Sequence, residues 1–223
     1  MSTPALHLQT MFLFDGDGRI RSTREPAPTP GPMFAFIRGD SSCAWAVRAD
    51  LPQELADELG RLARAEPPAT DLRGDPVHAE RYRALAGGEL YAGPAFTFPE
   101  EIAPPPATVL VEPVQLLARY FPGWTSAEIE GRSPVVALME EGDAVSVCFC
   151  ARRSGAAAEA GLETATAFRG RGFGSQVTSA WALAVRASGR VPLYSTSWSN
   201  CASLSVARKL GLIPYASTWS LLQ

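Results

Sequence analysis

The strongest constraint on the fold of this sequence is a change of periodicity across a glycine-rich loop at residues 169–175. Before the loop, apolar and small side chains alternate over residues 145–152, which predicts a β-strand. A turn at residues 154–155 leads into a second predicted strand, 158–164. After the loop, apolar residues of 177–185 recur at helical spacing. The passage therefore predicts a β-hairpin, a loop and an amphipathic helix that starts at about Ser175.

The rest of the C-terminal half continues the succession of strands and helices. Residues 192–197 predict a strand, and Asn200 is a residue type that caps a following helix. Gly211 ends that helix, and residues 213–221 predict a closing strand. The order hairpin, helix, strand, helix, strand predicts an α/β (α+β) fold in which helices pack on a mixed sheet.

Proline clusters at residues 26–32, 67–76 and 104–106 interrupt the N-terminal half and predict short elements with many turns. Asp50, followed by Pro52, predicts the N-cap of a helix that runs to about Ala65. Strands are predicted at 33–38, 44–48 and 89–98, and a short helix at 81–86. The run of three prolines predicts a boundary between a smaller N-terminal α/β lobe, 1–106, and a second domain, 107–223.

Composition excludes several functional classes. The formal net charge of -3 gives no electrostatic reason to expect nucleic acid as a partner. No apolar run approaches the roughly 20 residues that span a bilayer. Residues 1–14 lack the pattern of a secretory signal, so we expect a cytoplasmic protein with no membrane partner. The 4 cysteines and 2 histidines have no metal-ligand spacing, so no metal is expected.

The loop at residues 169–175 is suited to phosphate because it precedes a helix, where backbone N–H groups carry partial positive charge. Arg169 and Arg171 can add charge-assisted hydrogen bonds. Two other interpretations stay open from the residues alone. One is a flexible basic surface turn. The other is a dinucleotide-binding loop, which would need glycine in place of Ser175 and a parallel βαβ unit in place of a hairpin.

Two motifs resemble those of the GNAT (GCN5-related N-acetyltransferase) superfamily. Residues 169–174 match its acetyl-CoA signature, Q/R-x-x-G-x-G/A. Residues 194–203, YSTSWSNCAS, and residues 207–212, ARKLGL, resemble its second motif, in which an asparagine opens a helix. The resemblance covers about residues 108–222. It implies a mostly antiparallel sheet with flanking helices, acetyl-CoA as co-substrate and an amine acceptor.

The resemblance also implies roles for individual residues. Backbone groups of residues 163–165 would pair with the pantetheine arm, amides of residues 171–175 would hold the phosphates, and Asn200 and Ser203 would lie near the arm or the thioester. Capping of the helix is the alternative role for Asn200. The predicted coenzyme-binding set is Glu163, Thr164, Ala165, Arg169, Gly170, Arg171, Gly172, Phe173, Gly174, Ser175, Asn200 and Ser203.

Glu163 is the predicted catalytic base because no histidine follows residue 78; a solvated surface glutamate is the alternative. The family's usual proton-donating tyrosine aligns with Ala207, and Tyr194 and Tyr215 are the candidate substitutes. The expected function is therefore N-acetyltransfer to an amine, with the N-terminal lobe shaping the acceptor site. A non-catalytic acyl-CoA-binding module and a nucleotide-binding protein of another fold are the alternatives.

Overall fold

The computed structural model describes residues 3–105 and 108–223. The strands are β1 (Phe12–Phe14), β2 (Ile20–Thr23), β3 (Phe34–Gly39), β4 (Cys43–Val47), β5 (Glu89–Thr97), β6 (Thr108–Leu110), β7 (Val136–Glu140), β8 (Asp143–Arg153), β9 (Ala157–Thr164), β10 (Val191–Ser195) and β11 (Ile213–Leu222). The helices are α1 (Thr3–Met11), α2 (Gln53–Ala65), α3 (Ala79–Ala86), α4 (Ser126–Gly131), α5 (Phe173–Ala187) and α6 (Cys201–Lys209), with 3-10 turns at Val114–Leu117 and Thr166–Phe168.

Two compact units share the chain, and each draws on separate stretches of sequence. The first comprises the residues up to Phe96 together with Ser195–Asn200 and Pro214–Gln223. The second comprises Thr97–Tyr194 and Cys201–Ile213. The boundary predicted between residues 106 and 107 falls outside the described residues and stays a prediction.

Strand β3 is the centre of the first unit. It lies between β4 and β11 and pairs antiparallel with both. Phe34 and Phe36 pack on one face with α2 and α3, and Ala35 and Ile37 pack on the other with α1. A strand buried on both faces is expected to be continuously apolar, as these four residues are.

Helix α2 ends at Ala65 as predicted, but the prediction that Asp50 caps it is wrong. Its N-cap is Pro52, which provides no side-chain hydrogen bond. The Asp50 carboxylate instead accepts a hydrogen bond of 2.7 Å from Nε of Arg48. The Arg48 side chain is buried, and leaving its charge unpaired would cost more free energy than leaving the helix without a side-chain cap.

In the second unit the strand order is β10-β9-β8-β7-β6. Strands β6 to β9 pair antiparallel with their neighbours, and β10 pairs parallel with β9. This arrangement, with helices against the strands, confirms the predicted fold class: α/β (α+β), with a mixed, mostly antiparallel sheet. No helix within residues 3–105 and 108–223 is long and apolar enough to cross a membrane.

Alternate residues of β8 face different sides of this sheet. Cys148 and Cys150 lie next to Thr178 and Trp181 of α5, and burial raises the pKa of both thiols. Val147 packs on the opposite face with the 3-10 turn at Val114–Leu117 and with α4. The two cysteines therefore act as small core side chains, while α5 covers the sheet beside the strand that leads into the glycine-rich loop.

Candidate functional site

Strands β9 and β10 form a fork. They are joined by the parallel pairs Val191↔Ala157, Pro192↔Ala158 and Leu193↔Glu159. Strand β9 then continues to Thr164, still paired with β8, while within the described residues it has no further pair with β10. A bulge in β8, between residues 150 and 152, lies opposite the point where the strands part. Because a bulge bends its strand, it helps to turn β9 away from β10.

The register decides which backbone groups of β9 point into the fork. The N–H of Ala165 donates to the carbonyl of Val145 in β8, at 2.9 Å. In an antiparallel pair the direction of the backbone groups alternates, so those of Glu163 also point at β8. Those of Leu162 and Thr164 point the other way, toward the open edge. Consistently, the N–H of Val191 in β10 donates to the carbonyl of the even-numbered residue 156, at 2.9 Å.

This register changes the prediction for the pantetheine-pairing segment. Of the predicted residues 163–165, Thr164 alone directs its backbone groups to the open edge. The N–H of Ala165 is already bonded, and its carbonyl accepts from the N–H of Phe168 at 2.8 Å. Leu162, which was not predicted, has the orientation required. Sequence alternation could not reveal this, because it shows which faces side chains occupy but not which strand lies on which side.

Helix α5 begins at Phe173, two residues before the predicted start, directly after the glycine-rich loop. Gly170 and Gly172 have φ of 79° and 84°, which favour glycine, and Gly172 is the N-cap. The hydroxyl of Ser175 donates to the carbonyl of Gly172 at 2.8 Å. In the part of the chain that the structure describes, the backbone N–H groups of residues 170–175 donate to no acceptor. Such a group of unbonded amides at the start of a helix is suited to an anion.

The two arginines of the loop are exposed. Nε of Arg169 donates to the carbonyl of Thr164 at 3.2 Å, so this side chain reaches the open edge of β9. The guanidinium of Arg171 lies 5.0 Å from the centre of the Phe168 ring. Neither arginine forms an ion pair with a carboxylate of the described residues. Their charges therefore add to the positive potential at the start of α5.

Gly174 brings three elements together. A Cβ atom at this position would lie 3.4 Å from Leu162 and 3.7 Å from Thr164 of β9, and 3.5 Å from Val206 of α6. These are ordinary van der Waals separations, so glycine here permits close packing with little room for a larger side chain. The start of α5 is thereby held beside the open edge of β9.

Tyr194 is the first residue of β10 beyond its last pair with β9. Its side chain is buried, and its hydroxyl lies 2.6 Å from the hydroxyl of Ser203 in the first turn of α6. Burial raises the pKa of Tyr194 to about 12. Ala207, one turn further along α6, is buried and carries no polar group. Asn200 is exposed and immediately precedes α6.

Two predicted residues have other surroundings. Tyr215, a candidate proton donor, lies in the first unit, where its hydroxyl is 2.7 Å from Nδ1 of His7. The side chain of Glu163, the predicted base, is exposed. The side chains of Leu162 and Thr164 lie next to Gly174 of α5. Because side chains alternate along a strand, that of Glu163 faces the opposite side of the sheet.

Comparison with known proteins identifies the segment that contains this site. A model of the family described as GNAT acetyltransferase matches residues 132–218. This range contains β7 to β10, the glycine-rich loop, α5 and α6. No curated protein matches the sequence.

Several solved structures are similar to the chain at low identity. A putative acetyltransferase of the GNAT family from Novosphingobium aromaticivorans DSM 12444 is 18% identical, with a TM-score of 0.48. The alignment covers 60% of this chain and 64% of that protein. A GNAT-family acetyltransferase from Colwellia psychrerythraea is 13% identical, with coverages of 66% and 63% and a TM-score of 0.46. A GCN5-related N-acetyltransferase-like protein from Streptococcus suis 89/1591 is 14% identical, with a TM-score of 0.49. The alignment covers 86% of this chain and 84% of that protein. The chain thus spans less than two thirds of the first two proteins.

Proposed function

Because the chain belongs to the GNAT superfamily through residues 132–218, we propose that it transfers an acetyl group from acetyl-coenzyme A to an amine. One observation carries the proposal: unbonded amides at the start of α5 lie beside an open strand edge. A diphosphate needs the first feature, and an extended amide-containing arm needs the second. Amides of residues 171–175 would hold the phosphates, and Leu162 and Thr164 would pair with the arm.

When bound, acetyl-coenzyme A supplies a thioester whose carbonyl carbon a neutral amine attacks. Glu163 would accept the proton that the amine must lose, because it is an exposed carboxylate on the strand that lines the fork. The open N–H groups of β9 are suited to polarise a carbonyl oxygen. The acceptor would be a small molecule or a protein amine.

Tyr194 is better suited to position Ser203 than to act as an acid. Its pKa of about 12 is well above the value of about 8.5 for a thiol, so proton transfer from its hydroxyl to a thiolate is unfavourable. Either hydroxyl can donate across the 2.6 Å contact; with Tyr194 as the donor, the Ser203 hydrogen would be directed elsewhere. Ser203 would then stabilise the departing sulfur by a hydrogen bond, a role that Ala207 cannot fill.

Binding is tested first, by thermal unfolding with acetyl-coenzyme A, coenzyme A and pantetheine. A ligand at 100 times its Kd adds about 2.7 kcal/mol to the free energy of unfolding. We expect stabilisation by both coenzymes and much less by pantetheine, which lacks the diphosphate. Absence of stabilisation by millimolar acetyl-coenzyme A would refute the proposal.

Catalysis is tested by thiol release with a panel of amines, using Glu163→Gln. We expect acceptor-dependent release that falls by about 10²–10⁴-fold in the variant, with unchanged coenzyme affinity. Glu140→Gln, an exposed glutamate of β7, is the matched control and should retain activity. Unchanged turnover in Glu163→Gln would remove Glu163 as the base.

The buried Ala207 favours one alternative, a module of the same fold that binds acyl-coenzyme A without transferring the acyl group. Coenzyme binding without acceptor-dependent thiol release across the panel would support this alternative.

A further inference from the structure

The first unit contains an open cavity of about 410 Å³ that the acetyl-transfer proposal does not use. It lies between β4, one face of α2 and the loop at residues 17–19. Trp45 of β4 forms part of its wall, and Gly60 and Arg64 of α2 form another part. All the residues that line the cavity belong to the first unit.

Three nitrogen donors converge above Gly60. A Cβ atom at this glycine would be 3.5 Å from Nε1 of Trp45 and 3.6 and 3.8 Å from Nη1 and Nη2 of Arg64. Gly60 lines the cavity and adds no side chain beside these donors. Glycine inside a helix is less favourable than alanine, so Gly60 makes α2 less stable than alanine at this position would.

The donors at this point are not used within the protein. In residues 3–105 and 108–223, neither Nε1 of Trp45 nor the guanidinium of Arg64 has a hydrogen-bond acceptor. Arg64 is exposed and lies 5.9 Å from the centre of the Trp45 ring, without a carboxylate partner. An oxygen acceptor placed here would gain an indole N–H and a guanidinium together, which is the pattern that binds carboxylates.

The cavity is lined by two arginines and two aspartates, so a preference for an anion rests on the donors beside Gly60 and not on net charge. Arg19 lines it and is fixed through Nη2 to the carbonyls of Arg48 and Leu51, at 2.9 and 2.5 Å. Its Nε is buried without a partner in the described residues. Asp17 and Asp57 also line the cavity, but both are exposed, and Asp57 already accepts from Gln53 at 2.9 Å.

We propose that this cavity binds a small organic carboxylate, with its carboxyl group at the Trp45 and Arg64 donors and a flat apolar body against the indole ring. A planar body suits an indole face that is half-buried in the wall of the cavity. Acetate alone would lack this contact. Benzoate is the simplest probe that has both parts.

The test follows the indole N–H signal of Trp45 in a ¹H–¹⁵N NMR spectrum of the full chain. The protein has 5 tryptophans, and the signal that disappears in Trp45→Phe belongs to Trp45. We expect benzoate to move this signal with saturation and a Kd below about 1 mM. Arg64→Ala should weaken binding by about tenfold or more.

Arg61→Ala is the matched control, because Arg61 lies on the same helix but forms hydrogen bonds of 2.8 and 2.7 Å with Glu58. It should bind benzoate like the original protein. Gly60→Leu should abolish binding while remaining folded, since leucine favours a helix and its side chain would fill the space above Trp45. Melting curves establish that each variant is folded.

Several results would overturn the proposal. Equal weakening in Arg61→Ala and Arg64→Ala would show that the donors are not specific. A response to benzylamine as strong as that to benzoate would reverse the assigned charge, and a response to inorganic phosphate as strong as that to benzoate would remove the carboxylate assignment. No response of the Trp45 signal to benzoate would eliminate the site.

Discussion

Gly161 leaves room for the ring of Phe149 beside the fork. A Cβ atom at residue 161 would lie 2.6 and 2.9 Å from two ring carbons of Phe149 and closer still to a third. The ring is buried and packs edge to face on Trp124, with 4.9 Å between centres. It has little freedom to move, so the absence of a side chain at residue 161 is a packing requirement of this part of β9.

We therefore expect Gly161→Ala to lower the free energy of unfolding by about 1–3 kcal/mol, the usual effect of overpacking a core. Denaturant unfolding measures the change. Gly155→Ala is the control, because a Cβ atom there meets nothing within 4 Å. Equal stability of the two variants would contradict this account.

Residue roles differ in how far the sequence could specify them. The place of the glycine-rich loop directly before a helix could be predicted, because the periodicity changes across it. The direction of the backbone groups of residues 162–165 could not be predicted, because it depends on which of them are bonded to β8. The donors above Gly60 were likewise invisible, since Trp45 and Arg64 come together only when α2 packs on β4.

At the scale of the element, helix α5 offers a test with an internal control. Gly172 precedes its first residue and Gly189 follows its end, and both have positive φ, while a Cβ atom added at either would meet nothing within 4 Å. Alanine at either should cost about 1–2 kcal/mol of stability, because L-residues disfavour this conformation. Gly172→Ala alone disturbs the amides at the start of α5.

We expect Gly172→Ala to weaken coenzyme A binding by roughly tenfold, because the amides and the helix dipole would no longer be aligned. Gly189→Ala should bind coenzyme A normally despite a similar loss of stability. Calorimetric titration of both variants measures the difference. Equal affinity would remove the start of α5 as the phosphate site.

Elements with a clear period were predicted well, and those without one were not. The hairpin β8–β9 and helices α5 and α6 lie where alternation and helical spacing indicated. Helix α1 and the β1–β2 hairpin were not predicted. The strands of the hairpin are only 3 and 4 residues long, too short to show a period. Residues Val114–Leu117 form only a 3-10 turn, since Pro113 and Pro122 leave little room for regular hydrogen bonding.

At the scale of the whole molecule, two buried tyrosines contribute to a loss of stability at high pH, alongside the buried thiols of Cys148 and Cys150. Burial raises the pKa of Tyr82 and raises that of Tyr194 to about 12. Below pH 10 these phenols are protonated in both the folded and unfolded states. Between about pH 10 and 12 only the unfolded chain can ionise Tyr194, so stability falls as the pH rises through this range.

The loss due to Tyr194 should be about 2–3 kcal/mol, corresponding to roughly two pKa units. Tyr194→Phe should therefore lose less stability between pH 8 and pH 11.5 than the original protein, as measured by urea unfolding. Tyr120→Phe, which alters a half-buried ring, should retain the full loss. An identical loss in the two variants would exclude Tyr194 as its source.

The pairing of β11 with β3 could not be predicted, because a closing strand has no local signal for its partner. This pairing determines when the sheet of the first unit can be completed during synthesis. During synthesis the apolar edge of residues 34–39 is made well before its neighbour at residues 216–221. At about 5–20 residues per second, that edge waits roughly ten seconds or more, exposed to pairing with other chains. The first unit is thus completed only after all residues of the second unit have been synthesised.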